Sequence, residues 1–486
     1  MPIAKLFSAA FLGLEALIVE VEVDIAYGES GGIRIAGLPD AAVKESKDRV
    51  IHAVKNSGFT VDGLSGMIHL APAEIKKMGA FYDLPIALGM LQCLGVFKNT
   101  FINDFLIGGE LGLSGEIRPI CGALSMSLLA KKWGKKGVLV PQVNAPEASL
   151  VSGIEVIAVD HLKEAIQFFK EGSFPIYNPP PITFQAADAA IEMGTIKGQA
   201  HAKRALEIAA AGGHNILMCG PPGTGKTMLA KAFIGILPPL TFEEALEVTN
   251  IYSLGGFGAG LVKRRPFRSP HHSISYAGMV GGGSPPKPGE ISLAHRGILF
   301  LDELPEFSRS TLEVLRQPLE DKMVTVSRAG GKVQFSTDFI CIAAMNPCPC
   351  GFLGHPEKPC RDTSLQIERY RQKISGPLLD RIDLHLDVPP IPYHEMMGNQ
   401  IEEDTATIRA RVIAARSRLQ SKPPPLAQTL NPACKQLLKE ATEAWSISAR
   451  AHSRLIKVAH TISLLANADS ITEDHLAEAL CYRSKH

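Results

Sequence analysis

The stretch Gly220-Pro221-Pro222-Gly223-Thr224-Gly225-Lys226-Thr227 leaves the chain around it little choice of fold. A short apolar run, Ile216 to Cys219, precedes it and a helical pattern, Met228 to Phe233, follows. Strand, G-x-x-x-x-G-K-T and helix in that order make a phosphate-binding loop in the context it requires. Backbone N–H groups must wrap a polyphosphate, and a Cβ at Gly220, Gly223 or Gly225 would obstruct the wrapping. The helix N-terminus turns its dipole toward the anion, Lys226 adds a point charge for the β- and γ-phosphates, and the Thr227 hydroxyl is a ligand for Mg²⁺. The bland alternative, a Gly/Pro-rich turn that happens to hold a lysine, does not account for the flanking strand and helix.

A second strand answers the first. Gly297 to Leu301 is uninterruptedly apolar, as in a central parallel strand covered on both faces, and it ends in Asp302 and Glu303. Alone, such a run marks a strand end. Downstream of a phosphate loop it predicts a nucleotide hydrolase, with Asp302 holding Mg²⁺ through water and Glu303 orienting or deprotonating the attacking water. A third apolar run, Phe339 to Met345, ends in Asn346, whose amide can hydrogen-bond that water or the γ-phosphate. Kinase signatures are absent.

Between the last two runs, Met323 to Ser327 and Lys332 to Ser336 flank Arg328-Ala329-Gly330-Gly331, a Gly-Gly hairpin tip. Arg328 and Lys332 project there, where two cations can meet backbone phosphates without reading bases; an ordinary charged tip is the alternative.

With 486 residues the chain has room for two to four domains, and a net charge of +1 means that any nucleic-acid site is local. Nine cysteines, odd in number and sparse, predict a reducing compartment. Lys5 followed by Ser8 to Leu14 resembles a signal peptide, but Glu15 interrupts it and Val19 to Ile25 alternates like a strand. No apolar run is long enough to span a bilayer. The expectation is a cytoplasmic protein without a membrane partner.

Four segments are expected. Residues 1–170 form a mixed α/β unit, in which Lys76 and Lys77 read as solvated charges; 171–187 is a Pro-rich linker. Residues 188–398 form the phosphate-loop core, with a long insertion at 245–290 and the hairpin at 323–336. Residues 399–486 are all helix, with Asn431 and Thr472 as N-caps and Pro432 at a first helical position. The insertion reads as a functional loop. Its cluster Lys263, Arg264, Arg265 and Arg268 suits either a solvated or subunit-facing surface or a DNA contact, and His271 and His272 lack metal-ligand spacing. Cys348, Cys350 and Cys360 suggest a zinc or redox knot whose fourth ligand is Asp362 or His355, against a reading as free thiols.

Residues 1–170 resemble the proteolytic domain of the Lon family, an S5-like fold, best over Gly109 to Gly122. Where that family has its serine turn, this chain reads Lys77-Met78-Gly79-Ala80-Phe81-Tyr82-Asp83, and Leu124 falls where the lysine belongs, so a non-proteolytic domain is expected. Farther along, Gly220 to Thr227, Asp302-Glu303, Asn346, Leu379-Asp380-Arg381-Ile382-Asp383 and Ser448-Ala449-Arg450 resemble AAA+ ATPases. Phe267 to His272, Gly289 to His295 and Asn346 to Gly351 are similar to the magnesium-chelatase-like ComM/YifB group, in the same domain order.

The resemblance implies an α/β fold with an AAA+ core and a C-terminal helical lid, and a ring, expected to be a hexamer, with ATP and Mg²⁺ between subunits. Arg381 would be the arginine finger, Asn346 the first sensor and Arg450 the second. It also implies a helicase driving branch migration on single-stranded and branched DNA during natural transformation, alongside recombination or competence proteins, with the hairpin lining the pore. A chaperone-like motor subunit, as in magnesium chelatase, is the alternative. One departure stands out: members commonly carry a cysteine where this chain has Asp362.

Overall fold

The computed structural model describes residues 3–28, 32–98, 101–181, 184, 191–258, 260–283, 286–328, 331–396, 402–445 and 448–483. Its first unit is built on a seven-stranded sheet. From one edge the strands are Ile33–Ala36, Leu64–Ala71, Glu15–Tyr27, Ala4–Leu12, Phe105–Ile107, Gly137–Pro141 and Glu155–Val159. The signal-like N-terminus is therefore the first strand, paired antiparallel with the second from Ala4↔Val23 to Leu12↔Glu15. Alternation explains the pairing: Val19, Val21, Val23 and Ile25 are buried while Glu20, Glu22 and Asp24 face outward. Helix Ala41–Asn56, capped by Asp40 on the Val43 N–H, and the almost wholly buried helix Asp83–Cys93 pack on this unit.

Lys77 is not a solvated charge. Its residue is fully buried and its ammonium donates to the Pro72 carbonyl, with burial pushing its pKa below 10.5. The Pro72 carbonyl stands in for the water that a surface lysine would keep.

The second sheet is parallel throughout, in the order Phe267–Arg268, Ile298–Leu301, Ile340–Met345, Ile216–Cys219 and Leu384–Asp387. Ile298–Leu301 and Ile340–Met345 are buried at every residue, which is why they read as unbroken apolar runs. Helices Ala200–Gly212 and Lys226–Ile236 share one apolar core with the sheet and with Thr405–Ser421, Pro432–Trp445, Ala449–Leu465 and Glu473–Cys481.

The insertion is not a long loop. Thr241 and Glu244 form a capping box that starts helix Phe242–Gly255, Phe267–Arg268 adds an edge strand, and helix Tyr276–Val280 leads into a ribbon pairing Gly281–Gly282 with Lys287–Pro288. Two of its basic residues turn inward. Arg265 is buried and bonds the carbonyls of Pro238 and Arg296 at 2.7 Å and Glu244 at 2.7 Å, while Arg268 grips Glu290 with both nitrogens at 2.6 Å.

After Ser308 the chain forms two helices, Arg309–Val314 and Arg316–Asp321, rather than one, because Pro318 has no N–H for the Val314 carbonyl and fits only a first turn. The hairpin pairs Met323–Arg328 with Gly331–Ser336. Part of the expected linker joins the first sheet, Tyr177 N–H donating to the Val156 carbonyl at 2.9 Å; its residues 182, 183 and 185–187 lie outside the described part.

Among the described residues the first unit meets the core at two places in particular. Gly122 N–H donates to the Ser253 hydroxyl at 2.8 Å beside an apolar contact of Leu124, Leu150 and Val151 with Phe242, Leu246 and Leu261. The turn at Gly13 sits against Val333, and Leu14 packs among Val280, Val324, Val326, Val333 and Phe335 under the hairpin. Among the described residues no helix is long and apolar enough to cross a membrane.

Candidate nucleotide site and flanking clusters

Parallel register carries three strand ends to one edge of the second sheet. Cys219 pairs with Met345 and Leu301 with Ala343, so the loop from Gly220, the amide of Asn346 and the carboxylates after Leu301 emerge together. Gly223 and Gly225 take φ of +82° and +88°, which only glycine adopts freely, and a Cβ on Gly220 would lie 2.1 Å from the Val388 carbonyl oxygen. The hydroxyl of Thr227 donates to Asp302 Oδ2 at 3.0 Å, bringing together the two residues predicted for Mg²⁺. Lys226 Nζ donates to the carbonyls of Gly220 at 2.5 Å and Pro221 at 2.8 Å and to Asn346 Oδ1 at 3.3 Å. Burial lowers its pKa from 10.5, so an anion on the loop would find a cation poorly served by solvent. Pro222 packs near Gly351, and Thr224 bonds back to Pro221 at 3.0 Å, bracing the loop from within.

Glu303 stands at φ 52° and ψ 49°, a left-handed conformation unusual for a residue with a side chain, and its N–H donates to Asp302 Oδ1 at 3.0 Å. Its carboxylate is half-exposed and faces His272, whose Nδ1 lies 3.4 Å from Oε2.

The remaining predicted residues gather elsewhere. Asn215 Nδ2 donates to the Arg381 carbonyl at 3.3 Å, and Asn215 immediately precedes the strand whose far end opens the phosphate loop. Arg381 is therefore at the amino ends of the parallel strands. Its side chain is buried, donating to the carbonyls of Arg316 at 2.9 Å and Pro377 at 2.7 Å and to Glu320. Arg450, exposed, reaches the other oxygen of Glu320 at 3.1 Å. Arg454, which the sequence analysis did not single out, locks this corner by donating to the Arg381 carbonyl and Asp383 at 2.6 Å each. Arg328 and Lys332 occupy the last rungs of the hairpin, in register Arg328↔Gly331 and Ser327↔Lys332. Their side chains, with Ala329 and Gly330, lie outside the described part.

Beside the loop, Cys348, Cys350, Cys360 and Asp362 converge, all four ligand atoms within 4.8 Å. The Sγ separations are 3.4, 3.6 and 3.6 Å, and Cys360 Sγ is 3.8 Å from Asp362 Oδ2. These are close to the edge of about 3.8 Å expected of a tetrahedron with Zn–S bonds of about 2.3 Å. Burial, with Asp362 and Cys350 beside it, pushes the Cys348 thiol up to about 12, and the hydrogen bond from Cys348 holds Asp362 below 3.8. His355 turns away from the cluster, its Nδ1 accepting from Glu357 and Lys358 N–H groups.

Comparison with known proteins then decides the family. Residues 192–396 match the family described as magnesium chelatase, subunit ChlI; residues 21–144 match subunit ChlI of Mg-chelatase, and 402–483 the ChlI C-terminal family. A YifB protein of Escherichia coli is 41% identical over 100% of this chain and 97% of its own length. The competence protein ComM of Haemophilus influenzae is 40% identical over 100% of this chain and 98% of its own. The chain belongs to the magnesium-chelatase-like ComM/YifB family. Lon protease 2 of Bacillus subtilis is similar over a shorter stretch, 30% identical over 34% of this chain and 31% of its own. The parallel sheet and the ComM/YifB membership together fit an AAA+ type fold.

Sequence reasoning missed Glu320, His272 and Asn215 as partners of the expected site.

Proposed function

We propose that this ComM/YifB-family chain is an ATP-hydrolysing ring motor acting on DNA, with helicase or branch-migration activity during natural transformation and recombination. The observation that carries the proposal is the separation of its two half-sites. Loop, Thr227–Asp302 pair, Glu303 and Asn346 stand at one end of the sheet, whereas Arg381 and Arg450 stand together at the other. A chain arranged in this way completes its pocket only with a neighbour's arginines, which supports a ring, taken to be a hexamer, with ATP at each interface. Gly220 to Thr227 cradle the phosphates. Thr227 and Asp302 hold Mg²⁺, which neutralises phosphate charge when bound, and Glu303 and Asn346 orient the water.

In this reading residues 188–398 are the motor and 399–486 its helical lid; 1–170, without serine or lysine in the protease positions, are a non-proteolytic scaffold. The hairpin meets DNA through Arg328 and Lys332. Cys348, Cys350, Cys360 and Asp362 hold structural Zn²⁺ that braces the segment between Asn346 and Pro222. The printed descriptions of the relatives, a competence protein and, over 19% of this chain, the DNA repair protein RadA of Pseudomonas aeruginosa at 42% identity, favour DNA. The match to a magnesium chelatase subunit favours the alternative, a chaperone-like motor for a protein partner. ATP hydrolysis measured alone, with three- and four-way DNA junctions, and with single strands separates them: stimulation by junctions is expected, and none of the DNAs raising the rate would sink the DNA reading.

A further inference from the structure

We infer that Glu320 is a positioning residue for Arg450: bonded to the pinned guanidinium of Arg381, its carboxylate brings Arg450 alongside, so that both cations meet one phosphate of a neighbouring copy. The inference rests on those two arginines acting on that phosphate. Glu320 divides its oxygens between them, Oε2 accepting from Arg381 Nη2 and Oε1 standing 3.1 Å from Arg450 Nη2. A carboxylate that only offset the charge of a buried arginine would have no use for a second one.

The two arginines differ in what else holds them. Arg381 is pinned without Glu320: its side chain is 7% exposed, with Nε donating to the Arg316 carbonyl at 2.9 Å and Nη1 to the Pro377 carbonyl at 2.7 Å. Its three bonds use three of the five guanidinium N–H groups, which leaves two for a phosphate. Arg450 is 61% exposed, and Glu320 is its one side-chain partner among the described residues. The backbone beneath Arg450 is nevertheless fixed. One turn along helix Ala449–Leu465, on the same face, Arg454 donates to the Arg381 carbonyl and to Asp383 at 2.6 Å each. Glu320 is fixed as well, on helix Arg316–Asp321, one turn after the carbonyl that takes Arg381 Nε. With both helices set, the side chain of Arg450 is the last free part of the half-site. Glu320 selects its rotamer and offsets the repulsion between two neighbouring guanidiniums.

The test is steady-state ATP hydrolysis by the full chain and its Glu320→Ala, Glu320→Gln, Arg450→Ala and Glu320→Ala/Arg450→Ala variants, with Glu320→Ala and Arg381→Ala each also co-assembled with an equal amount of Lys226→Ala. Glu320→Ala should lower kcat about 10- to 100-fold, the size of a lost charge-assisted hydrogen bond, with KM for ATP unchanged because its own loop is untouched. Gln, whose amide offers one acceptor oxygen where the carboxylate offers two, should restore little. The double variant should be no slower than Arg450→Ala alone. Co-assembled with Lys226→Ala, the Glu320→Ala chain should recover toward about a quarter of wild type, since its loop then meets a partner's intact arginine pair, whereas a chain merely damaged in its fold would not recover. Wild-type turnover by Glu320→Ala, full rescue by Gln, a double variant slower than Arg450→Ala by the whole Glu320→Ala factor, or no recovery on mixing while Arg381→Ala recovers, overturns the inference. Wild-type turnover by Arg450→Ala, or no recovery of Arg381→Ala on mixing, overturns the underlying reading of the arginine pair, and the inference with it.

Discussion

A mixing experiment tests the divided pocket directly. The Arg381 carbonyl is bonded to Asn215, just before the strand Ile216–Cys219, and the phosphate loop begins just after it. Four residues at about 3.3 Å each put some 13 Å of strand between the two, whereas an arginine side chain reaches only about 7 Å from its Cα. Arg381 therefore cannot serve its own loop. Arg381→Ala should lose about a thousandfold in kcat while still binding nucleotide, since the bonds it breaks lie at the opposite end of the sheet. Lys226→Ala should be inactive for the complementary reason. Mixed in equal amounts and co-assembled at random, about a quarter of interfaces would join an intact loop from one variant to an intact arginine from the other. Coupled-enzyme assays of ATP turnover should then rise from near zero toward about a quarter of wild type. A co-assembled mixture no faster than the mean of its parents refutes the argument, as does wild-type turnover by Arg381→Ala alone.

Asp362→Ala should lower zinc content measured by mass spectrometry of purified protein and lower the melting temperature, while Asp362→Cys should hold zinc more tightly; protein that purifies without zinc in both wild type and Asp362→Cys contradicts the ligand set. Arg328→Ala with Lys332→Ala should weaken binding to junctions of unrelated sequence alike and reduce the slope of log K against log salt by about two, measured by fluorescence anisotropy. Glu147 is fully buried against the contact between the first unit and the core, where its Oε1 accepts the Leu124 N–H at 2.9 Å. Burial raises its pKa above 4.5, so the folded chain retains a proton the unfolded chain releases, and stability falls as pH rises from about 4.5 through the raised value. Glu147→Gln should consequently raise the unfolding free energy at pH 7, from denaturant titration, by about 1 kcal/mol and flatten that dependence, and an unchanged profile would exclude Glu147 as its source.

The phosphate loop, the acidic strand end and Asn346 were legible because each works through residues contiguous in sequence, at the end of an apolar run that announces its own strand. Thr227 and Asp302 could be paired for the same reason: both motifs end parallel strands of one sheet. Other features depend on what a side chain meets across space. Nothing near Arg381 in the sequence announces Glu320 or the carbonyls of Arg316 and Pro377, and nothing around Lys77 distinguishes a buried lysine from a surface one. The insertion was misread as loop because its glycines dominate the eye, whereas Thr241 and Glu244 already spelled a helix start. Pro318 likewise marked where the helix after Ser308 had to restart.

Leu14 is buttressed by the same apolar side chains that form the foot of the hairpin, and the Gly13 turn leaves Val333 no clearance for a Cβ, which would sit 2.2 Å away. Lifting a hairpin rooted in this way would open a wet gap beneath Val324, Val326 and Phe335. The seven-stranded unit and the hairpin are thus wedded at one apolar joint, and a truncation that removes the unit would leave that joint bare.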